Sequence, residues 1–168
     1  MILTRNGILK EIAQKNIVIA PFTKSNVGPA SIDLTLDNKF RVFRRGNSSV
    51  RLNENSDYRK YTKLVKKKSL VLMPEEYVLG ITKERIKLPN NICGELTGRS
   101  RFARFGVSIH VTASFIQPGI NNRQVLEIKN MAPFPIILTE GLRICQLVLG
   151  RTEGNAVYRG KFRNQNGL

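Results

Sequence analysis

Residues that build metal centres and disulfide frameworks are scarce in this chain: its 168 residues include two cysteines, one histidine and no tryptophan. Cys93 and Cys145 stand inside separate apolar segments. Neither has a second cysteine or histidine at metal-ligand spacing, so both read as buried, reduced thiols rather than a bridge or a zinc site. Long apolar runs are also missing. No stretch approaches the roughly 18 to 20 residues that cross a bilayer, and the opening MILTRNGILKEIAQKN mixes charge with apolar residues at helical spacing, unlike a signal peptide. A cytoplasmic chain with no membrane partner is expected. Acidic charge is thin: 12 Asp and Glu face 28 Lys and Arg, a net charge of +16. Such an excess attracts polyanions. Nucleic acid and a nucleoside triphosphate are both candidate partners, and charge alone does not choose between them.

What remains is ordinary globular material, 41% hydrophobic and 24% charged, of a length that suits one domain over residues 1–168. Thr4 is positioned to cap a first helix, with Ile8, Leu9, Ile12 and Ala13 on one face and an end near Asn16. From Ile17 onward the pattern changes to short β-type runs: NIVIA, SIDLTL, KFRVFR, SLVLM, EYVLGIT, GELT, VSIHVT, QVLEIKN, FPIILT and LRICQLVLG. Their spacing predicts a mostly antiparallel sandwich or barrel. The polar stretch from Arg44 to Lys68 reads as a long surface loop, and Lys66, Lys67 and Lys68 as a solvated edge that discourages aggregation. Residues 151–168 lack a core pattern yet carry Tyr158, Lys161, Arg163 and Gln165, so this tail either frays or folds over a ligand.

Three segments hold candidate chemistry. GRSRFARFG, from Gly98 to Gly106, sets a glycine before Ser100, which is suited to capping a short helical turn, and brings Arg99, Arg101 and Arg104 together. Free N–H groups, a hydroxyl and guanidinium forks are donors that phosphate oxygens accept. In QVLEIKN, strand alternation puts Leu126 and Ile128 on one face and Val125, Glu127 and Lys129 on the other. Glu127 is then either a solvent-facing carboxylate or the acid–base group of a pocket. His110, alone of its kind, reads first as a satisfied structural group.

GPASIDLTLDNKFRVFR, GRSRFARFG, IHVTA, IQPG, VLE and the terminal KFRNQNG, in that order, resemble the dCTP deaminase family, the deaminating branch of the dUTPase fold. The resemblance runs from the first helix to the last motif. It implies a mainly β, dUTPase-like distorted β-barrel with an N-terminal helix, assembled as a homotrimer with each active site at a subunit interface, and residues 151–168 as a closing segment. The implied reaction is hydrolytic deamination of dCTP to dUTP and ammonia without zinc, supplying dUTP for thymidylate synthesis. The H-x-E and P-C-x-x-C signature of zinc deaminases is absent from the sequence.

By the same resemblance Glu127 moves protons between water and the departing amine, with a pKa that burial is expected to raise and a neighbouring arginine to hold down. Ser100 and Arg104 support it by holding the water and polarising the site. Arg99, Ser100, Arg101, Phe102, Ala103 and Arg104 form a phosphate-binding turn. His110, Val111, Thr112 and Ala113, with Val125 and Leu126, read the base and deoxyribose, largely through backbone groups. Tyr158, Lys161 and Gln165 cover the nucleotide and grip its outer phosphates. Mg2+ is expected on the substrate triphosphate, held by phosphate oxygens and water, and dTTP is implied as a feedback inhibitor.

Two positions depart from the family pattern. Arg101 replaces a serine in the arginine-serine-serine run, and Gln117 stands where the family has an aspartate. In dUTPases and bifunctional deaminase-dUTPases that aspartate serves the pyrophosphatase reaction. An amide cannot act as a base, although Gln117 can still hydrogen-bond a deoxyribose. Monofunctional deamination is therefore the leading expectation. A nucleotide-sensing or nucleic-acid-binding protein with weakened chemistry is a second reading, and a dUTPase, against which Gln117 argues, a third.

Overall fold

Alternation of apolar and polar residues governs most of the chain, and the strands follow it. The computed structural model describes residues 1–46 and 49–168; Asn47 and Ser48, in the Arg44–Lys68 stretch, lie outside the described residues. Helix α1 (Arg5–Ala13) leads into β1 (Val18–Ala20), β2 (Ile32–Phe43), β3 (Thr62–Lys66), β4 (Ser69–Leu72), β5 (Tyr77–Lys87) and β6 (Ile92–Gly98). A short helix α2 (Ser100–Ala103) precedes β7 (Val107–Ser108), β8 (Phe115–Ile116), β9 (Asn121–Asn130), β10 (Ile136–Thr139) and β11 (Arg143–Arg151). Among the described residues, nine strands form one sheet in the order β7-β9-β5-β2-β11-β6-β8, with β1 added on β5 and β3 on β2, while β4 and β10 pair separately. The pairings are antiparallel and the large sheet curls into a half-barrel, so the mainly β expectation holds.

The concave side collects the inward residues of alternate positions. Ile32, Leu34, Leu36 and Phe40 of β2 are buried with Leu96 of β6, Leu126 and Ile128 of β9, and Leu147 and Leu149 of β11. Each side chain of this size contributes roughly 1.5–3 kcal/mol when withdrawn from water. Helix α1 packs Ile8, Leu9 and Ile12 against this core.

Several expectations need correction. Thr4 occupies the N-cap position of α1, but its side chain makes no capping hydrogen bond. The face of α1 also buries Glu11, which accepts a hydrogen bond from the Asn16 amide and pairs with Arg151, so burial there is not purely apolar. SIDLTL and KFRVFR are one strand, β2, rather than two. The stretch read as a surface loop contains β3, which pairs with β2 from Lys39↔Lys66 to Phe43↔Thr62. VSIHVT is strand only at Val107 and Ser108. Cys145 is buried, as expected, but Cys93 is only half-buried, and both are free thiols. The tail is ordered by backbone hydrogen bonds: the Asn121 N–H donates to Arg163 O at 2.9 Å, that of Arg123 to Gln165 O at 2.9 Å, and that of Tyr158 to Pro118 O at 2.9 Å. Gly119, at φ +76, allows this approach, because a Cβ there would meet Val157 Cγ1 at 2.8 Å.

Candidate active site

Glu127 lies on β9 directly beside Leu79 of β5, and the alternation that buries Leu126 and Ile128 turns its carboxylate toward a cleft of about 530 Å3. The segment after β7 folds over it. Oε2 accepts the backbone N–H groups of Val111 at 3.0 Å and Thr112 at 2.6 Å, and the Thr112 hydroxyl stands 3.0 Å from both carboxylate oxygens. Burial is the largest single influence and pushes this carboxyl up, but the donors of Thr112 and Val111, with His110 nearby, outweigh it and hold the group below its ordinary value. The expected upward shift is thus reversed by hydrogen bonding, and the group is a carboxylate at neutral pH. Oε1 meets only the Thr112 hydroxyl, which leaves it acceptor capacity toward the cleft.

The cleft gathers six of the residues singled out from sequence: Ala113, Gln117, Val125, Glu127, Tyr158 and Gln165. Leu126 faces the opposite way and is wholly buried, so only its backbone is available. Lys161 lies in an adjoining smaller hollow with Tyr58 and Gln165, its ammonium 5.9 Å from the Phe162 ring centroid.

The GRSRFARFG turn is not in this cleft. Arg99, not Ser100, is the N-cap of α2, and its side chain pairs with Asp33 at 3.0 Å and donates to Arg143 O at 2.8 Å. Ser100, Arg101 and Arg104 are exposed, and neither arginine is in an ion pair among the described residues. Phe102 anchors the turn against the core. Gly106, at φ +76, closes it so tightly against Ala132 that a Cβ would meet the Ala132 backbone nitrogen at 2.9 Å. Ala103 and His110 line a second groove of about 360 Å3. The His110 ring is not the satisfied group expected: among the described residues neither ring nitrogen has a hydrogen-bond partner, and burial lowers its pKa, opposed by the Glu127 charge.

Sequence reasoning missed other cleft residues. Tyr77 and Phe43 stack with ring centroids 5.3 Å apart on its wall, and burial, aided by Glu127, pushes the Tyr77 hydroxyl up to about 12. Arg123 also lines the cleft, but Asp37 pairs with it at 2.5 Å and its Nε donates to Thr82 O at 2.7 Å, so its charge is already committed. The only signal for these residues was position: Arg123 precedes Glu127 by four residues and Tyr77 opposes Lys129 across the ladder. Among the described residues no three His, Cys, Asp or Glu side chains are grouped so as to hold a metal ion.

Residues 2–152 match the family model described as dCTP deaminase-like. This chain belongs to the dCTP deaminase-like family. Among curated members, it is 37% identical to the "dCTP deaminase, dUMP-forming" of Mycolicibacterium smegmatis, over 99% of this chain and 93% of the relative. It is 35% identical to the protein of the same name from Parafrankia sp. (strain EAN1pec), over 99% of this chain and 88% of the relative. The crystal structure of 2'-deoxycytidine 5'-triphosphate deaminase from Agrobacterium tumefaciens superposes with a TM-score of 0.71 at 22% identity, over 90% of this chain and 48% of that one. At that identity the superposition speaks for the fold, and this chain spans about half of that chain's length. Family membership agrees with the mainly β half-barrel.

Proposed function

We propose that this chain is a hydrolytic dCTP deaminase that forms dUTP and ammonia, with Glu127 as its acid–base residue. The observation that carries the reading is the Glu127 carboxylate, fixed by Val111 and Thr112 at the wall of the cleft and left open at Oε1. Oε1 takes a proton from a water as the water oxygen bonds to C4 of cytosine. The same carboxyl then delivers that proton to the exocyclic nitrogen, the C4–N bond breaks and ammonia departs, and the remaining proton of the water passes to N3 as C4 becomes a carbonyl. Because its donors hold Glu127 ionised near neutral pH, the base form is the resting form. The reaction is assigned to protein side chains without zinc.

Tyr158 and Gln165 cover the base and sugar from the ordered tail, and Lys161 lies one step outward, toward the phosphates. Gln117 hydrogen-bonds the deoxyribose. Ser100, Arg101 and Arg104 reach the nucleotide from a second copy, in a homotrimer whose sites lie between subunits; their exposure and their distance from their own chain's cleft support this division. Mg2+ rides on the triphosphate, where it neutralises phosphate charge. Among the described residues the cleft lining offers one carboxylate, Glu127, which fits an ion held by phosphate and water rather than by protein.

The names of the relatives favour a second reading, in which dUTP is carried on to dUMP with release of pyrophosphate. That step needs a second activated water, and Gln117, an amide, cannot take its proton. Turnover of dCTP and dUTP side by side, reporting ammonia and pyrophosphate separately, decides between them. We expect ammonia from dCTP and no pyrophosphate from either. Equal pyrophosphate and ammonia from dCTP would establish the second reading, and no ammonia at all would overturn both.

A further inference from the structure

The positive charge of this chain is not spread evenly. Eleven of its 28 Lys and Arg, but two of its 12 Asp and Glu, fall between Lys39 and Lys68. Among the described residues only one of those eleven cations, Arg59, is in an ion pair, with Asp57 at 2.8 Å. The other ion-paired acids, among them Asp33, Asp37 and Glu140, are engaged by cations outside this stretch. The β2–β3 ladder also sets Lys39 directly opposite Lys66, a like-charge pair that weakens the ladder carrying it.

Protection of a free edge explains part of this pattern. β3 pairs only with β2, so Lys63 and Lys66 can guard its open side. Lys39 cannot serve that purpose, because β2 lies inside the sheet between β3, β5 and β11. Nor can Arg44 and Lys67, which with Lys63 rim a groove of about 360 Å3 floored by Val42, Val65 and Val78. Cations therefore flank the ribbon on both faces, Lys39 and Lys66 on one, Lys63, Arg44 and Lys67 on the other. At its end, the Arg44 backbone N–H donates to Tyr61 O at 2.9 Å, and the Tyr61 side chain is exposed.

From this arrangement we infer that the β2–β3 ribbon is a binding surface for single-stranded nucleic acid, whose groove adjoins the nucleotide cleft at Phe43. Unpaired cations in a row track a phosphate backbone, and an exposed aromatic among them offers a face on which a base stacks without regard to sequence. A nucleoside triphosphate, with about four charges, needs few cations. The ribbon offers more than that, two strands over from Glu127 across β5, and a polymer uses them together.

The test is fluorescence anisotropy of a labelled oligothymidylate of about 20 nucleotides titrated with the full chain between about 50 and 300 mM NaCl. Binding should weaken with salt at a log–log slope steeper than about −2, as at least three neutralised phosphates on a single strand require. The triple variant K63E/K66E/K67E should lose at least about tenfold in affinity near 100 mM NaCl, whereas K10E/K15E/K24E, an equal change of charge elsewhere, should lose far less. The neutral double variant K67Q/K68Q, altered beyond the β3 ladder, should still bind measurably more weakly, which guards against misfolding of the triple variant. Absence of binding at the lowest salt, or equal losses in the two triple variants, would overturn the inference. So would capture by phosphatidylglycerol vesicles without capture of the oligonucleotide. A drop in low-salt dCTP turnover on charge reversal, with no oligonucleotide binding in either protein, would show substrate steering instead and would also overturn it.

Discussion

Glu127 and Ser100 are joined by one reading of the sequence, yet they meet opposite surroundings in a single chain. The carboxylate is enclosed by its own chain: Val111 and Thr112 donate to it, Tyr77 and Leu79 wall the cleft, and the tail crosses nearby with Tyr158 and Gln165. The GRSRFARFG turn is just as firmly built, with Arg99 tied to Asp33, Phe102 packed on the core and Gly106 pressed against Ala132. Its chemically useful groups, Ser100, Arg101 and Arg104, are nevertheless exposed and do not line the cleft that holds Glu127. Arg101 and Arg104 are exposed and, among the described residues, in no ion pair, as the proposed division of the site between two copies requires.

The contrast can be broken or sharpened by substitution. Glu127→Gln should cut ammonia release from dCTP by at least about a hundredfold while dCTP still binds, since a general base is worth about that much; wild-type turnover would remove Glu127 from the chemistry. Arg104→Ala should cost roughly 10- to 100-fold in kcat/KM, the worth of one charge-assisted hydrogen bond, without lowering the melting temperature. Loss of Tm with unchanged kcat/KM would make Arg104 part of the scaffold. Gly106→Ala should do the reverse: strain at positive φ and the clash with Ala132 should cost about 1–3 kcal/mol, seen as a lower Tm.

The smallest expected effect probes the clasp on Glu127. Thr112→Val removes the hydroxyl donor and should lower kcat/KM by roughly three- to tenfold. Its clearer mark is in the pH profile. A carboxyl held below its ordinary value of 4.5 contributes stability and base activity above that pH, and both are lost as pH falls through the lower folded value. With a donor gone, the folded pKa rises and the acid limb of kcat/KM moves to higher pH. A limb that stays where it is would mean that the Thr112 hydroxyl does not hold the carboxylate in solution.

The parts that were legible share a local cause. The alternation in QVLEIKN aimed Glu127 away from Leu126 and Ile128 because a strand allows no other arrangement, and the core of β2 and β11 is readable in the same way. What stayed hidden depends on distant partners. β3 buries only Thr62 fully and Val65 in part, so its own pattern reads as a polar loop, and the ladder with β2 decides its state. The tail has no apolar period because backbone bonds to Pro118, Asn121 and Arg123 order it. The donors that lower the Glu127 pKa are hidden for the same reason: burial follows from the strand pattern, whereas the donors come from a loop 15 and 16 residues away.

Mixing two variants tests most directly the claim that one site has two halves on different copies. Glu127→Gln and Arg104→Ala proteins, each with little activity alone, should be unfolded together and refolded as mixed oligomers. If the carboxylate and the arginine turn meet across a subunit boundary, about a quarter of the sites draw both intact halves and ammonia release returns toward that fraction of wild type. Activity that stays at the level of the separate variants, in oligomers shown to be mixed, would contradict the account.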